Sequence, residues 1–216
     1  MKVANAMVQS LLPLCFLLLS LARQPLLAAE PEPEPVVDKQ GNKLIPGAGY
    51  YVWPLWGDNG GLSLGQTRNK TCPLDVIRDP EFIGLPLTLQ APGLDYIPTQ
   101  TDLTIGFNVK TTCNQPTTWR LLKVGSGFWF ISTGGESQAL TSKFKIERLE
   151  GDHAYEIYSF KFCPSVPGVI CAPVGTYTDA DGTKVMAIGD DIETYYVRFQ
   201  KVDTYAQEKD QGFTSA

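Results

Sequence analysis

From Tyr50 to Val202 no stretch offers ten residues with a capped apolar period of 3.6, which removes the helical folds at once. Turn-forming residues instead cut the chain into short runs. Twelve read as strands: Tyr50–Pro54, Leu62–Gln66, Leu74–Ile77, Leu85–Leu89, Leu103–Val109, Trp119–Val124, Phe128–Ser132, Phe144–Leu149, Ala154–Phe162, Val174–Tyr177, Lys184–Ile188 and Tyr195–Val202. Several alternate apolar and polar residues, Lys143–Leu149 and Tyr196–Val202 most plainly, so one face of each pleat is apolar. Asp58–Gly61, Gly125–Gly127, Gly134-Gly135, Asp181-Gly182 and Gly189-Asp190 supply the turns between runs.

The chain is therefore expected to be all-β. Twelve short strands suit a sandwich or a closed barrel. An apolar-x-apolar step recurs at Ile105–Phe107, Phe144–Ile146 and Val197–Phe199, each read as closing a group of strands. Three groups of four strands make a β-trefoil.

Both ends differ from this middle. Lys2, the apolar run Leu11–Leu19 and the small-residue end Leu26–Ala29 follow the plan of a secretory signal peptide, 1–29. The apolar run is far shorter than the ~20 residues a spanning helix needs, so no membrane segment is expected. Residues 30–35 (EPEPEP) form an acidic, proline-rich, extended leader. The globular domain is expected over 36–203, and 204–216 reads as a polar tail. The formal net charge of the whole chain is −5. Loss of 1–29 takes away Lys2 and Arg23 and leaves 16 basic against 23 acidic residues, a net of −7. No cluster of Lys or Arg offers phosphates a basic face, so nucleic acid is not an expected partner.

Loss of 1–29 also removes Cys15, leaving Cys72, Cys113, Cys163 and Cys171. Four cysteines in a secreted chain allow three pairings. The short Pro/Gly segment between Cys163 and Cys171 favours a local clip there, which leaves Cys72 for Cys113. On the loop-entropy model the long loop would contribute ~4 kcal/mol and the short one ~2.6 kcal/mol.

Enzyme chemistry has little to stand on. His153 is the only histidine and lies in a turn beside Asp152, so a His-based zinc site has no second ligand and no metal is expected. Neither the Gly-x-Ser-x-Gly nor the His-Glu-x-x-His pattern occurs. Gly47-Ala48-Gly49 lacks the third glycine of a dinucleotide loop, and Asp179–Gly182 reads as a hairpin turn rather than a calcium loop. No cofactor is expected. Asn69-Lys70-Thr71 is an exposed glycosylation sequon. Trp53, Trp56, Trp119 and Trp129 are interleaved with strands and read as packing residues.

Val36–Leu44 followed by Gly49–Val52 resembles the amino-terminal signature of the plant Kunitz inhibitors of the soybean-trypsin-inhibitor type. Trp119–Leu121, Phe144–Glu147, Tyr158–Pro164, Asp181-Gly182 with Val185–Ile188, and Val197–Phe199 resemble the family's later blocks. The resemblance covers 36–202. It implies a β-trefoil, disulfides 72–113 and 163–171, and a monomeric plant protein sent to the cell exterior or the vacuole. It further implies inhibition of serine proteases by a loop bound like a substrate. Such a loop has little conformational freedom left to lose, so contact energy is expressed as affinity.

Carried onto this sequence, the loop is Pro92, Gly93, Leu94, Asp95 and Tyr96. Alignment forward from Gly84 and Pro92 puts the primary specificity residue at Leu94; alignment backward from Phe107 puts it at Gly93. Leu94 is preferred because it has a side chain to bury. The family's trypsin inhibitors carry Arg or Lys there, and neither occurs between Glu81 and Asn108, so an apolar pocket of the chymotrypsin, elastase or subtilisin kind is expected instead. Pro46 stands where the family places an asparagine that braces the loop, which predicts a looser loop. Asp95 would have to be desolvated on binding. The alternatives are a storage or stress protein on the same scaffold without inhibition, or a small-molecule binder.

Overall fold

The computed structural model describes residues 32–203 except 56–59, 126, 152, 154 and 170. The signal peptide, the tail 204–216 and Trp56 lie outside the described residues.

Each of the twelve expected runs overlaps a strand, and a two-residue strand joins them. In chain order these are β1 (Gly49–Pro54), β2 (Gly61–Gly65), β3 (Asp75–Asp79), β4 (Leu87–Gln90), β5 (Thr104–Phe107), β6 (Arg120–Lys123), β7 (Phe128–Ser132), β8 (Phe144–Arg148), β9 (Tyr158–Phe162), β10 (Ala172–Pro173), β11 (Gly175–Thr178), β12 (Lys184–Gly189) and β13 (Tyr196–Lys201). A 3-10 turn, Leu140–Ser142, precedes β8.

Six strands close a ring. β13 pairs with β1, β1 with β4, β4 with β5, β8 with β9, and β9 with β13, all antiparallel. The gap between β5 and β8 is closed by one bridge, in which Leu103 and Phe144 exchange both backbone hydrogen bonds at 2.7 and 3.0 Å. Three hairpins, β2–β3, β6–β7 and β11–β12, cap the ring and pair with one another through β3–β7, β3–β12 and β7–β12. A six-stranded ring capped by three mutually paired hairpins is the β-trefoil.

The ring order also defines the thirds. Each opens on a strand (β1, β5, β9) and closes on one that pairs with the next third (β4, β8, β13). The recurrent apolar step holds for Phe144–Ile146 on β8 and Val197–Phe199 on β13. In the first third its place is taken by Leu87 and Leu89 on β4; Ile105–Phe107 belongs to β5 and opens the second third.

The alternating strands turn their apolar faces into the ring. Val52, Leu87, Leu89, Ile105, Phe107, Phe144, Ile146, Tyr158, Phe160, Val197 and Phe199 are all buried. Trp119 lies among them with its ring 5.2 Å from Phe160, 5.8 Å from Phe144 and 6.2 Å from Phe107, edge-on or tilted as aromatic quadrupoles prefer. The Trp119 backbone N–H donates to Ile105 O at 2.7 Å, which ties the second hairpin to β5. Gly84 (φ +88°) lets the β3–β4 connection press onto β2: a Cβ there would stand 2.4 Å from Leu62 O. Both disulfides form as the resemblance implies, Cys72–Cys113 and Cys163–Cys171.

Candidate functional site

Between the end of β4 at Gln90 and the start of β5 at Thr104 the chain leaves the ring. Ala91–Leu94 makes a β-turn in which Leu94 N–H donates to Ala91 O at 3.1 Å. Pro92 presets the second position of that turn, and Gly93 (φ +81°) supplies the positive φ that the third demands. Leu94 projects from the turn 42% exposed, an uncommon setting for a leucine. Pro92, Gly93 and Asp95 are exposed, Tyr96 is half-buried and Ile97 is fully buried. The loop thus plunges back into the core three residues past Leu94.

Both legs of the loop are held by chain that precedes β1. Ile97 N–H donates to Leu44 O at 2.8 Å, and Ile97 O accepts from Val36 N–H at 2.9 Å. Val36, Leu44 and Ile97 are all fully buried, so apolar contact reinforces these bonds. Pro35 bridges Pro98, Thr99 N–H donates to Glu34 O at 2.7 Å, and Glu34 N–H donates to Thr99 Oγ1 at 2.9 Å. Glu34 and Pro35, which the composition assigns to an extended leader, are thereby bonded into the domain. Lys43 Nζ lies 5.0 Å from the centre of the Tyr96 ring. The bracing segment is fixed in turn: Val37 N–H donates to Tyr158 Oη at 3.0 Å and Ile45 N–H to Tyr50 Oη at 2.9 Å.

Ile45–Ala48 repeats the Pro-Gly turn of the loop, with Ala48 N–H donating to Ile45 O at 3.2 Å and Gly47 at φ +79°. Gly47 N–H then donates to Leu89 O at 2.9 Å, at the foot of the first leg. Pro46 offers no amide, as its sequence implies, yet the turn it starts still reaches the loop through Gly47. At the other leg, Asp102 accepts hydrogen bonds from Ser165 N–H and Ser165 Oγ, the latter at 2.9 Å, which joins the Cys163–Cys171 clip to the loop.

The conformation ahead of Leu94 departs from an extended, substrate-like strand. A strand laid along a protease cleft offers the backbone N–H of its specificity residue to the enzyme. Leu94 N–H is already committed to Ala91 O, and Gly93 lies outside the extended region. Docking through Leu94 requires that one weak bond to open.

The other residues singled out in the sequence lie apart from this loop. Asn69 is exposed on a turn, at φ +53°. His153 is exposed, its Nε2 3.2 Å from Glu150 O. Asp179–Thr183 is a hairpin turn, and the Thr183 N–H and hydroxyl hold the Asp181 carboxyl below its ordinary pKa. Gly47-Ala48-Gly49 is the end of a turn and the start of β1. Trp53 and Trp129 are half-buried and Trp119 is fully buried. Among the described residues no group of three or more His, Cys, Asp or Glu is gathered to hold a metal. No described helix is long and apolar enough to cross a membrane. The bracing by Lys43, Glu34 and Ser165 has no signal in the sequence, since each contact joins residues far apart along the chain.

A profile of the legume Kunitz family, described as trypsin and protease inhibitor, matches residues 36–201. Miraculin of Synsepalum dulcificum is 36% identical over 80% of this chain and 87% of its own length. A Kunitz-type elastase inhibitor of Bauhinia rufa is 34% identical over 61% of this chain and 98% of its own. Among solved structures, soybean Kunitz trypsin inhibitor superposes with a TM-score of 0.69 at 26% identity, covering 79% of this chain and all of the soybean one.

Proposed function

Because the chain belongs to the legume Kunitz family of trypsin and protease inhibitors, we propose that it inhibits a serine protease with an apolar specificity pocket, offering the loop Pro92–Tyr96 with Leu94 foremost. The observation that carries this reading is Leu94 itself: an exposed leucine on a proline-set turn whose two legs are anchored in the core. Anchoring removes ordering cost from binding. The absence of Arg and Lys between Glu81 and Asn108 turns the proposal from trypsin towards elastase-, chymotrypsin- or subtilisin-like enzymes, and one relative is an elastase inhibitor by name. The protein acts as a monomeric, non-enzymatic secreted or vacuolar inhibitor without cofactor, carrying a glycan on Asn69. Titration of the purified mature chain against trypsin, chymotrypsin, elastase and subtilisin tests it. Inhibition of an apolar-specific enzyme with trypsin spared is expected; silence across the panel at micromolar protein overturns it.

One observation favours a second reading, a storage or stress protein on the same scaffold. The Ala91–Leu94 turn consumes the N–H that a substrate-like strand would offer. An inert panel together with great abundance in seed or vegetative storage tissue would establish that reading instead.

A further inference from the structure

A different part of the molecule carries positive charge against aromatic rings. Trp53 on β1 and Arg198 on β13 are directly opposed in the strand register and so share one face of the sheet. Lys39 is drawn alongside because its N–H donates to Phe199 O at 2.9 Å. Tyr155, in the connection between β8 and β9, completes the group. With Pro54 and Leu55 these side chains enclose a recess of about 250 Å³.

Each cation in the recess is seated on a ring. The Arg198 guanidinium carbon is 4.0 Å from the centre of Tyr155, and Lys39 Nζ is 5.8 Å from the centre of Trp53. A guanidinium drawn over a ring keeps N–H groups that an acid can take, and an ammonium has three donors to share. The ring contacts bring both sets of donors to the recess. Among the described residues lining the recess there is no carboxylate, although the chain as a whole is acidic. The recess is thus a cationic spot with an aromatic floor on a negative protein, a pairing that selects an acid carrying a flat apolar body.

Its size narrows the ligand further. About 250 Å³ equals roughly eight water volumes at ~30 Å³ each, below the ~300–1,000 Å³ of pockets for drug-sized ligands. A single ring with one acid group fits; a fused macrocycle does not. We propose that the recess formed by Lys39, Trp53, Tyr155 and Arg198 binds a small aromatic carboxylic acid, its carboxylate between the two cations and its ring against Trp53 and Tyr155. This site shares no residue with the loop around Leu94 and does not depend on the inhibitory reading.

The test uses cinnamate as probe, cinnamamide as its neutral isostere and sulfate as an anion without a ring, each titrated into the mature chain at low salt by calorimetry. The Trp53 indole N–H resonance is followed in parallel by NMR. Saturable cinnamate binding with Kd below ~1 mM is expected, weakened at least tenfold by Arg198→Gln and by Lys39→Gln, with cinnamamide and sulfate both much weaker. Both substitutions are on partly exposed side chains, and circular dichroism checks that the variants are folded. Three outcomes overturn the proposal: no saturable binding of cinnamate, equal binding of cinnamamide or sulfate, or unchanged affinity in both folded variants. Leu94→Arg, run alongside, should leave cinnamate affinity as it is, so that failure at this recess is separable from failure of the protease reading.

Discussion

Lys43 reaches across from the segment before β1 to stack its ammonium on Tyr96, 5.0 Å from the ring centre, two residues beyond Leu94. An exposed cation–π pair of this kind contributes ~0.5–1 kcal/mol. Because it holds the loop where a protease would press on it, Lys43→Ala should leave the unfolding midpoint nearly unchanged. The same variant should raise the dissociation rate from the target enzyme severalfold, while Lys43→Arg retains slow dissociation. Progress curves of enzyme recovery after dilution measure this directly.

Leu94→Arg exchanges an apolar anchor for one that the carboxylate in trypsin's specificity pocket accepts. Inhibition of trypsin should appear or rise by at least tenfold while inhibition of the apolar-specific enzyme falls. Steady-state inhibition constants for both enzymes on one preparation decide it. No change in either would place the contact residue elsewhere.

Asp75 is fully buried and accepts hydrogen bonds from two donors of Arg68, Nη2 at 2.9 Å to Oδ1 and Nε at 3.1 Å to Oδ2, together with the hydroxyls of Thr67 and Ser132. It ties the turn after β2 to β7 across the hairpin cap. Asp75→Asn leaves Arg68, itself only 18% exposed, without its counter-charge. Breaking a buried pair in this way costs ~3–5 kcal/mol. Urea denaturation should show a loss of that order, and Arg68→Met with Asp75→Leu should recover only part of it, since the apolar pair leaves no charge unpaired but takes the acceptor from the buried Thr67 and Ser132 hydroxyls.

Burial raises the phenol pKa of Tyr195, Tyr50 and Tyr158 above the ordinary value near 10. Above about pH 10 the unfolded chain gives up these protons while the folded chain keeps them, so the folded state binds more protons and stability falls as pH rises. Below that pH the three tyrosines impose no slope. Urea unfolding between pH 8 and 11.5 (the working range, chosen about the phenol value of ~10) should show a plateau and then a decline. Tyr195→Phe should flatten the decline. At neutral pH that variant should be within ~1 kcal/mol of the parent, because the Tyr195 hydroxyl is buried with no hydrogen-bond partner among the described residues.

Much of this fold is legible in one sequence because its determinants are local. Period-two alternation at Phe144–Arg148 and Tyr196–Lys201 and the Asp179–Thr183 turn each act within a few residues. What closes the ring is not local. Leu87-x-Leu89 and Ile105-x-Phe107 look alike as strings, and only pairing shows that the first ends a third and the second begins one. The same division runs through the candidate site. Proline at 92 and glycine at 93 announce a stiff turn, and Leu94 announces what it shows. That the turn takes up the Leu94 N–H depends on backbone conformation at Gly93, which glycine leaves free to go either way. That the loop is braced although Pro46 offers no amide depends on Val36, Lys43, Leu44 and Gly47, whose partners in the loop lie some fifty positions or more away for three of the four and more than forty for the last.

The bridge that shuts the ring belongs to the loop as much as to the barrel. Its carriers are Leu103, bonded both ways to Phe144, and Gln100, whose N–H donates to Ile146 O at 3.0 Å. Both precede β5 and stand at the foot of the segment that displays Leu94. The foot of the loop is therefore part of the cylinder wall, with buried Ile97 standing between the displayed tip and the seam. A mobile flap hung on a finished barrel could flex without consequence. Here an excursion that draws out Ile97 and carries Gln100 and Leu103 with it would unlatch β5 from β8, so the foot of the display and the seam of the core are one structure.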